Sequence, residues 1–267
     1  MPTSFNQPII DEFRATGGKV SFFPDGGLLL LTTTGARSGA RHTVPLGYVP
    51  HGEHLLVVGS AAGADRHPAW FHNLLARPVV RVEVGVEEFD AVAVPAGDRR
   101  DELFEEVVRA APGYADYQAG TDRVLPVVVL HRAEGTFAGK LLEVHGWLRE
   151  QIARVRAEAE GEPDLGLQLR RHCVEFCDAL TFHHTGEDDH VFPGIEVHHP
   201  HLADALARLR EEHRAVARLK DRLLTAVDSA AFTSDLDRMA EELGQHLDRE
   251  EAWLLPVLVD VPWPPVA

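Results

Sequence analysis

Two short stretches constrain this chain more than anything else in it. His183-His184-Thr-Gly-Glu187-Asp188-Asp189-His190-Val-Phe-Pro193 and His246-Leu-Asp-Arg-Glu250-Glu251-Ala-Trp-Leu-Leu-Pro256 share one pattern: a His, a Glu four residues on, an acid directly after it, and a Pro ten residues past the His. On a helix, residues i and i+4 lie on one face with Cβ atoms about 5–6 Å apart, so an imidazole and a carboxylate placed there can close on one metal ion. Each copy follows a further His on a helical pattern, His145 and His213. The second half therefore reads as two helical hairpins, each supplying His and then His-x-x-x-Glu. Four imidazoles and two carboxylates suit a pair of iron ions, and two metals bridged by carboxylates inside a four-helix bundle is a recurrent solution.

The apolar spacing agrees. Leu141, His145, Leu148, Ile152 and Val155 form one stripe, and Leu169, His172, Phe176, Leu180, His183 and Glu187 another. Leu202, Leu206, Leu209, His213, Val216 and Leu223 form a stripe interrupted by Lys220, and Leu236, Met239, Leu243, His246, Glu250 and Trp253 a fourth. Each reads as the core face of a helix, and every candidate ligand lies on one. Polar groups in an apolar core are costly unless paired or bound to metal. Breaks fall at 161–164, 193–200 and 228–233; such short connections imply antiparallel neighbours and an up-down-up-down order. His184, His190, His198, His199 and His201 fall off the stripes and read as surface residues. Cys173 and Cys177, one helical turn apart, read as small core residues rather than a redox pair.

The first half has a different texture. Short β-type runs at 28–33, 44–49, 55–59, 79–84, 89–94 and 124–130 are separated by turn residues such as Gly35, Gly39, Gly52 and Gly85, with helical patterns at 5–16, 68–76 and 101–110. Many strands joined by tight turns point to an antiparallel barrel, and hence to an α+β chain of two domains. The divisions expected are a barrel at 1–132, a linker at 133–140, the bundle at 141–256 and a tail at 257–267.

With 267 residues the chain has room for two ordinary domains. A formal net charge of -16 argues against non-specific nucleic-acid binding, and no apolar run approaches the length of a membrane span. Asp11 and Glu12 precede any apolar core, so no signal peptide is visible, and two cysteines give no disulfide framework. The expectation is a cytoplasmic protein. A homo-oligomer is compatible with this sequence.

Residues 141–256 resemble the hemerythrin-like, His-His-Glu cation-binding family, down to the Glu-acid-x4-Pro ending of both copies. The resemblance implies a non-haem di-iron centre that binds O2 or senses oxygen, NO or iron, with His145, His183, Glu187, His213, His246 and Glu250 as ligands. Oxygen-carrying members have a second His one turn after the third-helix His; that position is Ala217 here. The resemblance therefore argues against five-imidazole oxygen carriage, with His184 or Glu251 available as an extra ligand.

Leu31-Thr-Thr-Thr-Gly35-Ala-Arg37-Ser38-Gly39, Pro45-Leu46, His67-Pro-Ala-Trp70-Phe-His72-Asn73-Leu74 and the Pro112-Gly-Tyr114 to Arg123-x-x-Pro126 block are similar to the deazaflavin-dependent nitroreductase family, over about residues 5–132. That implies a split β-barrel of the FMN-binding type. It would bind reduced coenzyme F420 in preference to FMN and pass hydride to a small-molecule acceptor, a quinone or nitro compound. Carried onto this sequence, the cofactor contacts are Arg37, Ser38, His42, Thr43, Val44, Pro45, Ser60, Ala61, Ala69, Trp70 and Asn73, and the catalytic residues are Tyr114 and Tyr117. Gly35 and Gly39 would let backbone amides approach a phosphate, with Arg37 and Ser38 adding donors. The alternative is a non-catalytic di-iron O2 or redox sensor, or an iron-binding protein, whose barrel only holds the cofactor.

Overall fold

The computed structural model describes residues 3–21, 27–159, 166–226 and 232–264. It divides into two compact units, one of residues 1–140 and 254–267, the other of residues 141–253.

The first unit is built on six strands: β1 (Leu28–Thr34), β2 (Arg41–His51), β3 (His54–Val58), β4 (Val79–Val84), β5 (Glu87–Pro95) and β6 (Val127–Arg132). They close into a barrel in the order β1-β2-β3-β6-β5-β4, and every pairing is antiparallel. The strands alternate, and β1 and β6 are apolar on both faces because both are covered. Leu29, Leu31, Val57, Val82, Ala93 and Leu130 fill the interior together with Trp70, Phe71 and Leu74 of helix α2 (Ala69–Ala76). Leu28 and Leu30 pack outward on Ile10 and Phe13 of α1 (Thr3–Thr16). Val49, Leu56, Val127 and Val129 pack on Leu103, Phe104 and Val107 of α3 (Arg100–Ala110). Each such buried side chain contributes about 1.5–3 kcal/mol, which accounts for the unbroken apolar runs at 28–31 and 127–130. The strand expected at 124–130 begins at Val127, and a short helix that the pattern did not announce, α4 (Gly113–Ala119), precedes it.

Beyond its pairing with β3, which ends at Tyr48↔Val57, β2 continues with β1 on one side only. Pro45 sits in that stretch, where the sheet loses nothing by its missing N–H.

The second unit holds α5 (Phe137–Ala159), α6 (Gly166–Gly186), α7 (Phe192–His198), α8 (Ala203–Ala226) and α9 (Phe232–Leu258), the first and last of which continue into the other unit. Residues 137–140 of the expected linker thus belong to α5, and 257–258 of the expected tail to α9. Cross-helix pairs fix the directions. His145–Glu251 and Arg156–Asp237 run α5 against α9; His145–His183 and Glu158–His172 run α5 against α6. Lys220–Thr181 and His213–Asp188 run α6 against α8, and Glu212–His246 and Arg222–Asp235 run α8 against α9. In every pair one number rises as the other falls, so all four neighbours are antiparallel.

The stripes meet in a core that includes Leu148, Ile152, Phe176, Leu180, Val216, Leu223, Met239 and Leu243. Cys173 and Cys177 lie in it as free thiols. The break expected at 161–164, most of that at 228–233 and the side chain of Leu169 fall outside the described residues. The stretch expected as the loop 193–200 is largely α7, entered through a π-turn at Glu187–Val191. Pro193 has no N–H to close an ordinary turn there.

Candidate metal centre and cofactor groove

Five imidazoles and two carboxylates converge in the middle of the bundle. The α6 turn places His183, His184 and Glu187 together; His145 comes from α5, His213 from α8, and His246 with Glu250 from α9. The donor atoms fall into two groups, His184 with His213 and His246, and His145 with His183, Glu187 and Glu250, each group lying within 4.8 Å of itself. The carboxylates join the groups. Glu187 lies 3.3 Å from His183 Nε2 and 3.6 Å from His213 Nε2. Glu250 lies 3.5 Å from His145 Nε2 and 3.4 Å from His246 Nε2. Each carboxylate thus touches one imidazole of either group, the arrangement that bridges two ions.

The Nε2 atoms of His145, His183, His184, His213 and His246, and all four carboxylate oxygens of Glu187 and Glu250, are buried without a hydrogen-bond partner. Buried polar atoms are almost always satisfied, and nine orphans aimed at one place fit a pair of cations held by nitrogen and oxygen.

A second set of carboxylates orients the ligands. Nδ1 of His145 meets Glu251 at 3.0 Å, Nδ1 of His213 meets Asp188 at 2.9 Å, and Nδ1 of His246 meets Glu212 at 3.1 Å. Such partners set the ring angle and leave Nε2 free for a metal. Arg149 holds Glu251 and Asp248 in turn. The acid that follows each ligand Glu therefore braces an imidazole of the other hairpin.

Protonation follows from burial. Burial pushes His183 down to about 3 and also lowers His184 and His213. These rings stay neutral, the form that binds metal. Burial and the nearby Glu250 raise Glu187, whereas Glu250 is held low despite burial by the imidazoles of His145 and His246 beside it. Burial also opposes the charged form of His145, but Glu250 and Glu251 outweigh it and raise that ring.

All six expected ligands are brought together, and His184 joins them. The surface position expected for His184 is corrected: its ring is buried and stacks on His213 at 4.0 Å and 10°. His190, His198 and His201 are exposed. His172 lies apart from the centre, bonded to Glu158. A cavity of about 170 Å³ opens beside His184 and His213, lined also by Thr181, Ala217 and Lys220, room for a few waters or a diatomic molecule.

In the barrel, the expected cofactor residues lie along the free part of β2 and the turns beside it. Arg37, Ser38 and His42 are exposed at one end, with Thr43, Val44 and Pro45 half-buried along the strand. Ser60, Ala61 and Ala69 are at least partly exposed. Ala61 and Ala62 hold left-handed φ values of 47° and 53°, strained for alanine. Arg123 clamps this turn through Ser60 O and Ala64 O. Asn73 is engaged in support: its Oδ1 accepts from Ala36 N–H and its Nδ2 donates to Thr33 Oγ1, both at 3.1 Å. Trp70 is buried among interior side chains of the barrel. Tyr114 and Tyr117 stand 5.9 Å apart on α4. A Cβ on Gly47 would lie 3.0 Å from the Tyr114 hydroxyl, so glycine lets the ring settle over β2.

Residues 9–132 match the family model described as F420H(2)-dependent quinone reductase, and residues 136–258 that of the hemerythrin HHE cation binding domain. An F420H(2)-dependent quinone reductase of Mycobacterium tuberculosis is 36% identical over 126 residues, which span 45% of this chain and 85% of that protein. A second, putative reductase of that name from the same organism is 32% identical over 103 residues, 38% of this chain and 87% of that protein. A solved F420-H2 dependent reductase (FDR-A) is 38% identical, over 39% of this chain and 93% of that one, with a TM-score of 0.37. This chain belongs to the F420H(2)-dependent quinone reductase family through its barrel, and the residues after it match the model of the hemerythrin HHE cation binding domain.

Proposed function

We propose that the protein is a reductase that takes hydride from reduced coenzyme F420 and delivers it to a quinone, with nitro compounds as a second acceptor class. Its bundle would hold two iron ions and sense or handle O2 or NO. Family membership of residues 9–132, with relatives named for that activity, carries the first part. The nine orphaned donors carry the second. When bound, the deazaflavin supplies hydride and the iron pair a redox-active binding point for a diatomic molecule.

The chain's own residues then have definable tasks. Arg37, Ser38, Arg41 and His42 offer charge and donors to a phosphate tail. From Arg41 to Gly47, β2 spans about 20 Å, enough to separate that tail from a ring system laid against Thr43–Pro45 and Ser60–Ala61. Tyr114 and Tyr117 close the far end, where their hydroxyls can donate to an acceptor oxygen. Burial, then Tyr117, raises the Tyr114 pKa above that of an ordinary phenol, so its proton stays in place for donation across the neutral range.

No helix among the described residues is long and apolar enough to cross a membrane. The buried free thiols support a reducing, cytoplasmic setting. Oxidation of reduced deazaflavin by a naphthoquinone, followed by absorbance with purified full-length protein, tests the reading. Turnover is expected. Tight cofactor binding without turnover would leave a sensor or iron-binding protein, and preference for flavin mononucleotide would overturn the cofactor.

A further inference from the structure

Away from both sites, β3 and β6 gather a third set of donors. His54 opens β3 and His131 lies near the end of β6. The antiparallel register that pairs Leu55 with Leu130 sets the two imidazoles side by side, with ring centroids 4.3 Å apart. Asp260, two residues past the end of α9, brings its Oδ1 to 3.4 Å from His131 Nδ1. Donor atoms of all three lie within 4.8 Å of one another.

The imidazoles are ready to coordinate. His131 is 8% exposed, and its Nδ1, like that of His54, is buried with no hydrogen-bond partner. His51, across the β2–β3 hairpin from His54, is engaged by Glu106. Around a tetrahedral ion with bonds of about 2.0–2.2 Å, neighbouring donors lie about 3.3–3.6 Å apart. Asp260 and His131 have that spacing.

We propose that His54, His131 and Asp260 form a third metal site, which takes a zinc-class divalent cation with water completing a four-coordinate shell. Two imidazoles disfavour magnesium and calcium, which take oxygen ligands. The ion staples the C-terminal segment to the barrel. That segment already pairs with the turn between β6 and α5: Phe137 N–H donates to Val261 O, Trp263 N–H donates to Gly135 O, and Thr136 bridges to Pro262. The Asp260 side chain is 78% exposed, so the carboxylate can close on an ion with little else moving.

The test titrates full-length, iron-loaded protein with Co(II), whose visible bands report tetrahedral nitrogen and oxygen ligation, and then displaces it with Zn(II). About one further equivalent per chain is expected, with iron retained. His54→Ala and Asp260→Asn should each remove the bands and weaken Zn(II) binding on the order of tenfold or more. Asp260→Asn alters an exposed side chain and keeps the fold, which circular dichroism checks. Cobalt uptake only at the expense of iron, equal uptake by wild type and Asp260→Asn, or no uptake would each overturn the proposal.

Discussion

Asp188 and Glu251 each stand one residue past a ligand and act on a different helix from it. Asp188 fixes His213, and Glu251 fixes His145. If the bundle holds the proposed iron pair, Asp188→Asn should weaken its binding by about 10–100-fold without changing its stoichiometry, as chelator competition would show. His184→Ala should leave about one iron per chain, because it removes one of the three imidazoles in its group. Elemental analysis checks this, with His198→Ala as a control that keeps both ions. The apolar stripes placed His184 on the surface, and only the family resemblance offered it as an extra ligand, for a geometric reason. Successive helical residues diverge by about 100°, and a stripe follows only one direction. Here α6 has neighbours on two sides: His183 turns to His145 of α5, and His184 to His213 of α8. Adjacent histidines just before a Glu-acid pair are the signal that could have found it.

Among the elements, the ligand-bearing helices carry a pH liability when metal is absent. His183 has a folded pKa of about 3 against 6.5 for the free ring, so the folded state holds fewer protons and its stability falls as pH drops through that window. Thermal unfolding of metal-free protein should show a falling midpoint from about pH 6.5 towards pH 3, with a shallower slope in His183→Leu. The start of α5 has a steric constraint instead. A Cβ on Gly139 would lie 1.9 Å from Ala133 O, so Gly139→Ala should destabilise by about 1–3 kcal/mol, measured by denaturant titration. The four long helices were legible because one apolar face follows a 3.6-residue period. α4 and α7 were not, since seven residues hold barely two turns and both begin among Pro and Gly.

At the scale of the molecule, the chain after α9 belongs to the barrel's unit, although the sequence read it as a tail. Removing residues 259–267 deletes the hydrogen bonds at Val261 and Trp263, each worth about 0.5–1.5 kcal/mol. Calorimetry should show a lower barrel transition while the iron content is kept. No periodicity announces such a segment, because its partners lie more than a hundred positions away in the chain. The two donor groups of the bundle have a different consequence. The first hairpin holds His145, His183, His184 and Glu187; the second holds His213, His246 and Glu250. Each group draws on both. A chain severed in the turn at 199–202 would yield two colourless fragments, neither with a complete coordination set. Their reunion in ferrous solution would be read directly as returning iron absorbance, which makes the bundle a natural complementation reporter.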